Sequence, residues 1–159
     1  MSKSKTSSLY TTPAGEPART VDEWAEHFKN KNWYEIVTEM PTPSYLFGLV
    51  TPEGGPKPDW RYVKLKNNKV LDMRHVLVMG MKYGVVMGVL VELGQYIFEP
   101  TSANQKQDYY SNWLGASFLK YLRKNVESFK PPRTVADGFK IERRLTEHFR
   151  KFAEVTVVK

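Results

Sequence analysis

A mainly α chain built on a single transmembrane helix is the fold class that this sequence predicts, with a small aromatic-rich part before the helix and a pair of amphipathic helices after it. Three observations predict it. Residues 76–98 (VLVMGMKYGVVMGVLVELGQYIF) run for 23 positions without proline, and Lys82 and Glu92 are their formal charges. Gly80, Gly84 and Gly88 recur at every fourth position of that run. Beyond it, apolar residues return at steps of three and four in two separate segments.

The apolar run sets the reading. At about 1.5 Å of rise per residue, a helix over 76–98 covers the ~30 Å hydrocarbon core of a bilayer. The glycine row falls along one side of that helix and drifts slowly round it. In water each such glycine costs about 1 kcal/mol relative to alanine. In lipid the same spacing lets a second helix come close. Glu92 extends the row by one step, so it is expected to face protein or water and find a polar partner. Lys82 is placed to snorkel, and the span as a whole is marginal without a partner helix. The competing reading keeps 76–98 as a buried element of a water-facing core.

The other elements follow in order. Residues 1–19 are rich in Ser, Thr, Pro and Ala and read as a flexible tail. No apolar segment suited to a secretory signal lies there. Residues 20–75 form the N-terminal extramembrane part. Thr20-Val-Asp-Glu23 is a capping-box pattern, which starts a helix over 21–31 with Trp24 and Phe28 one turn apart. A further helical turn around Trp33, Ile36 and Val37 ends before Pro41. Residues 45–50 suggest a short strand, and 51–59 a turn-rich loop. Asn67-Asn68 turns 60–66 back into 69–72 as a hairpin. Residues 99–159 form the C-terminal helical part. Its first helix carries Tyr109, Tyr110, Trp113, Leu114, Phe118, Leu122 and Val126, with Gly115 as a weak break, and closes at Pro131-Pro132. Its second follows a cap-like start at Thr134 and carries Ile141, Leu145, Phe149 and Phe152. Arg74, Lys82, Tyr96 and Trp113 are the candidate membrane-interface residues, since basic and amphipathic aromatic side chains favour the headgroup layer.

The charge of the chain narrows its partners without choosing one. A net charge of +7 suits anionic lipid, nucleic acid or an acidic protein surface. Arg61, Lys64, Lys66, Lys69 and Arg74 precede the run with Asp72 as the acidic residue among them, which places the N-terminal side in the matrix or cytoplasm. There is no cysteine, so disulfides and thiolate metal sites are excluded. His27, His75 and His148 are far apart and fit no zinc or triad spacing. No phosphate loop, dinucleotide fingerprint or nucleophile elbow is present. The sequence therefore supports no catalytic residue, metal or cofactor.

A glycine row in an apolar run, followed by a charged helical segment, resembles the small single-span accessory subunits of the mitochondrial ATP synthase membrane region. The resemblance covers residues 74–98. It implies that Gly80, Gly84 and Gly88 pack one span on another, that the partners are other membrane-protein subunits, and that the role is structural and non-catalytic. Respiratory-complex accessory subunits of similar build are equally compatible. The expected place is the mitochondrial inner membrane. The alternative is a basic nucleic-acid-associated protein, such as a ribosomal or phage component, with 76–98 in its core.

Overall fold

Thr20 closes one strand and opens the helix that follows it. In the computed structural model, which describes residues 12, 15–40, 44–46, 49–51, 54–82, 103–127, 129 and 141–156, strand β1 (Ala18–Thr20) runs straight into helix α1 (Val21–His27). The Thr20 Oγ1 accepts from the Glu23 N–H at 3.1 Å, and its hydroxyl donates to Glu23 Oε1, also at 3.1 Å. This satisfies a first-turn amide that the helix cannot satisfy itself. The helix expected through residue 31 ends earlier, at His27. Asn30 takes a left-handed φ of 64°, and Asn32 then caps α2 (Trp33–Val37) by accepting from the Glu35 N–H at 2.9 Å. Asparagine tolerates the left-handed region and caps helices well, so two asparagines make the break.

The hairpin read at Asn67-Asn68 forms. Strands β4 (Tyr62–Lys64) and β5 (Val70–Asp72) pair antiparallel with Val63 opposite Leu71, and Asn68 has a φ of 67°. β1 lies parallel on the other side of β4, which gives a three-stranded sheet of order β1-β4-β5. Trp60, expected to begin the hairpin strand, instead ends a 3-10 turn (Pro58–Trp60). β2 (Ser44–Leu46) and β3 (Leu49–Thr51) pair antiparallel as a separate ribbon, where one short strand was expected.

The apolar run departs most from expectation. Its first seven residues belong to a π-helix (His75–Lys82) in which Val76, Leu77 and Met81 are fully buried and Val78 nearly so. They lie in one apolar cluster with Trp24, Trp33, Val63, Leu71, Phe118 and Phe149, drawn from both sides of the run. No helix among the described residues is long and apolar enough to cross a membrane. The single transmembrane helix, and the membrane and inner-membrane placement that rested on it, are therefore corrected. The physical reason, for the described residues 76–82, is that the chain's own helices cover their apolar side chains. A run covered by protein and a run covered by lipid have the same composition. Gly84, Gly88, Glu92 and Tyr96 lie outside the described residues.

Gly80 does pack against a helix, but an internal one. It faces α3 (Ala103–Asn125), where a Cβ on Gly80 would strike the Asn112 carbonyl and stand 2.7 Å from the Gly115 Cα. A Cβ on Gly115 would in turn strike the Val76 carbonyl and stand 2.9 Å from the Gly80 Cα. Gly115 is therefore no helix break. It is the matching half of a close backbone crossing.

Helix α4 (Leu145–Thr156) completes the core. Phe149 lies edge-on to Phe118 and to Trp24, with ring centroids 5.2 and 5.4 Å away, in the geometry that aromatic quadrupoles favour. Phe152 is 5.2 Å from Phe118. Ile141, expected on the same apolar stripe, is 71% exposed because the helix starts after it.

Trp33 anchors the π-helix to α2 through its indole N–H, which donates to the Leu77 carbonyl at 2.6 Å in the buried interior. Replacing Trp33 by Phe removes that donor and leaves space beside it. A buried acceptor left unsatisfied costs roughly 1–3 kcal/mol, and the lost ring adds to it. Trp33→Phe is expected to lower the urea midpoint with an unchanged slope. An unchanged midpoint would show that this bond does not hold the π-helix.

Candidate functional site

Crossing the π-helix over α3 brings polar side chains from distant parts of the chain into one seam. Asp72, the last residue of β5, is 3% exposed. The Arg61 guanidinium grips it with both ends of a fork: Nη2 donates to Oδ2 at 2.8 Å and Nε to Oδ1 at 3.1 Å. The Arg74 backbone N–H also donates to Oδ1, at 3.0 Å. The Asp72 backbone N–H donates to the fully buried Ser111 Oγ of α3 at 3.1 Å. One turn away, the Gln107 amide donates to the Val70 carbonyl at 2.9 Å. Buried polar groups need such partners, and here α3 supplies them to the edge of the sheet.

His75 stands at the open end of this seam. Its Nδ1 lies 3.1 Å from Asn112 Oδ1, and with the amide oxygen as acceptor Nδ1 carries the proton. Its Nε2 then faces two carboxylates, Asp108 Oδ1 at 3.3 Å and Asp72 Oδ2 at 4.0 Å. Asp72, His75 and Asp108 each place a ligand atom within 4.8 Å of the others, the kind of grouping that can hold a cation. Arg61, however, already occupies both oxygens of Asp72, so an incoming cation has to compete with a guanidinium. The arrangement present is a clasp, in which the Arg61–Asp72 ion pair is tied to α3 by hydrogen bonds of the Asp72 backbone with Ser111 and of His75 with Asn112.

Electrostatics follow the geometry. The Arg61 pKa is raised, first by the hydrogen bond to Asp72 and against the effect of burial. The Tyr62 hydroxyl is pushed up to about 12, chiefly by burial and then by the Asp72 charge. Burial also raises the Asp108 carboxyl, while His75 pulls it down by less.

A second feature lies on α3 beside the seam. The Lys69 ammonium stands 4.4 Å from the centre of the Tyr110 ring, and Tyr110 stacks on Trp113 with centroids 5.9 Å apart and planes 29° apart. Trp113 is 44% exposed, whereas Trp24 and Trp33 are completely buried. Lys120 and Lys124 are exposed further along the same helix, at steps of seven and eleven from Trp113, which returns them to about its face. A basic and aromatic strip results.

Comparison with protein-family models, with curated proteins and with solved structures finds no match for this chain. The functional reading therefore rests on these residues alone.

Of the residues singled out from the sequence, Gly80 packs on α3, and Trp113 belongs to the exposed strip. Arg74 is half-buried and holds Asp72 through its backbone. Lys82 is the last residue of the π-helix. Asp72, Asp108, Arg61 and Ser111 were not anticipated. The step of three from Asp72 to His75 was visible, but the α3 residues reach the seam only through the fold.

The clasp separates its two carboxylates by experiment. Asp72→Asn leaves Arg61 without its counter-charge. Removing one partner of a buried pair costs about 3–5 kcal/mol, and the 30% exposure of Arg61 brings this down to roughly 2–3. Asp108 behaves in the opposite sense. Because its folded-state pKa is raised, the stability it contributes is full below its ordinary value of 3.8 and is lost as pH rises through the raised value. Denaturant melts from pH 4 to 7 should show Asp72→Asn destabilised at neutral pH and Asp108→Asn with a smaller loss of stability across the range than the parent. Equal effects of the two variants would contradict this account.

Proposed function

We propose that this protein is a nucleic-acid-associated binding module that holds single-stranded nucleic acid on the strip formed by Lys69, Tyr110, Trp113, Lys120 and Lys124. The observation that carries the reading is the stacked Tyr110–Trp113 pair, open to solvent at Trp113 and backed by the Lys69 ammonium. Unstacked bases adsorb on such rings because every base has a π face, and lysines along the helix neutralise successive phosphates. The net charge of +7 supports this by drawing polyanions to the surface. No side-chain fork on the strip is arranged to read base edges, so binding is expected to be tolerant of sequence.

The test is titration of the full chain with oligo(dT) and oligo(U), followed by tryptophan fluorescence at several salt concentrations. Stacking on an aromatic side chain is worth about 1–3 kcal/mol per base, so Trp113→Ala should weaken binding about tenfold and remove most of the quenching. Lys120→Gln should lower the dependence of log K on log salt by about 0.7, the value of one phosphate contact on a single strand. Affinity that ignores Trp113→Ala, or binding indifferent to salt, would overturn the proposal.

A further inference from the structure

A cleft of about 400 Å³ opens between the start of α1, the end of β4 and helix α4. It shares no residue with the strip on α3. Its apolar surface comes from Val21, Leu65 and Ala153. Backbone alternation sets its charged rim. Leu65 turns inward and is 3% exposed, so its neighbours Lys64 and Lys66 both turn out, one on either side of it.

The charges of this rim do not balance. Arg150 and Asp22 offset one another, with Arg150 Nε 3.1 Å from Asp22 Oδ1 and Arg150 Nη2 donating to the Asp22 carbonyl at 3.3 Å. Lys64 and Lys66 pair with no carboxylate among the described residues, against the single carboxylate of Glu154 on the same wall. The wall also holds a polar atom without an acceptor. The Arg150 Nε is shielded from solvent, and although it lies within ion-pair distance of Asp22 its N–H does not point along that line, so it makes no hydrogen bond. A pocket of this volume, largely apolar with a few convergent polar groups, is the usual form of a small-molecule site.

We infer that this cleft binds a small organic anion, an apolar body resting on Val21, Leu65 and Ala153 with a carboxylate or phosphate group held by Lys64 and Lys66. The apolar surface accepts a ring or short chain, and the two lysines supply the missing counter-charge. A neutral compound leaves the lysines uncompensated, and a cation meets their repulsion.

Calorimetric titration of the full chain with three probes tests this: 1-naphthoate, 1-naphthyl phosphate and the neutral 1-naphthalenemethanol. At least one anion is expected to bind saturably and at least tenfold more tightly than the neutral compound; which anion does so identifies the head group. The double variant Lys64→Gln, Lys66→Gln should lose at least tenfold in anion affinity with its melting temperature kept, because both side chains are exposed. Ala153→Trp should fill the cleft and abolish binding of the anions. If that variant does not fold, the lysine variant decides. Trp113→Ala should bind the probes as the parent does, which separates this site from the nucleic-acid strip. Binding of the neutral probe equal to that of the anions, an unchanged affinity in the lysine double variant, or no binding of any probe would overturn the inference.

Discussion

The backbone crossing of Gly80 over Gly115 is the contact on which the rest of the structure depends. Each glycine occupies the place where the other's Cβ would stand, so the π-helix and α3 approach to a distance that no other pair of residues permits. Close-packed interiors tolerate little extra volume, and here the neighbouring atoms are backbone, which cannot rotate away. The crossing also sets the register. Val76 faces Gly115, so His75 reaches Asn112 and Asp108, and Asp72 reaches Ser111. A slip of one helical position would leave the buried Asp72 N–H without Ser111 and the buried Gln107 amide without the Val70 carbonyl.

The polar seam is costly to bury and specific in return. Asp72 takes part in four hydrogen bonds, three accepted by its carboxylate from Arg61 and the Arg74 N–H and one donated by its backbone N–H to Ser111, and loss of a partner leaves a desolvated polar group unpaired. Such a clasp contributes less to net stability than apolar packing of equal volume. Its effect is to reject alternative pairings of β5 with α3. The apolar cluster around Phe118 and Phe149 supplies the drive for burial, and the seam selects the arrangement. The exposed Trp113 and the lysines beside it are then held on a helix whose other face is fixed, so that a ligand meets a rigid surface rather than one it must order.

Much of the local structure was legible in the sequence. The Thr20–Glu23 cap, the Asn67-Asn68 hairpin and the apolar spacing of α3 each rest on interactions within a few residues, which a local pattern can encode. What failed was the environment of residues 76–82, the described part of the apolar run. A glycine spaced by four says that something must come close, and it does not say what. The partner is Gly115 of α3, which read locally as a weak point in a helix. The early stop of α1 depends on Asn30 adopting a left-handed turn, which either Asn30 or Asn32 could have done on local preference alone. The candidate site was hidden for the same reason as the glycine partner. Asp72 and His75 stand three apart in the sequence, but Asp108, Ser111 and Asn112 join them only through the crossing, and no spacing rule connects them.

Replacement of Gly115 by alanine tests the crossing most directly, because local and tertiary effects have opposite signs there. Within an isolated helix, Gly→Ala stabilises by about 1 kcal/mol. At the crossing the added methyl group meets the Val76 carbonyl and the Gly80 backbone, and overpacking of this kind costs typically ~1–3 kcal/mol or more. The thermal midpoint of Gly115→Ala, measured against the parent chain, is predicted to fall by several degrees. A midpoint that rises, as helix propensity alone requires, would contradict the account.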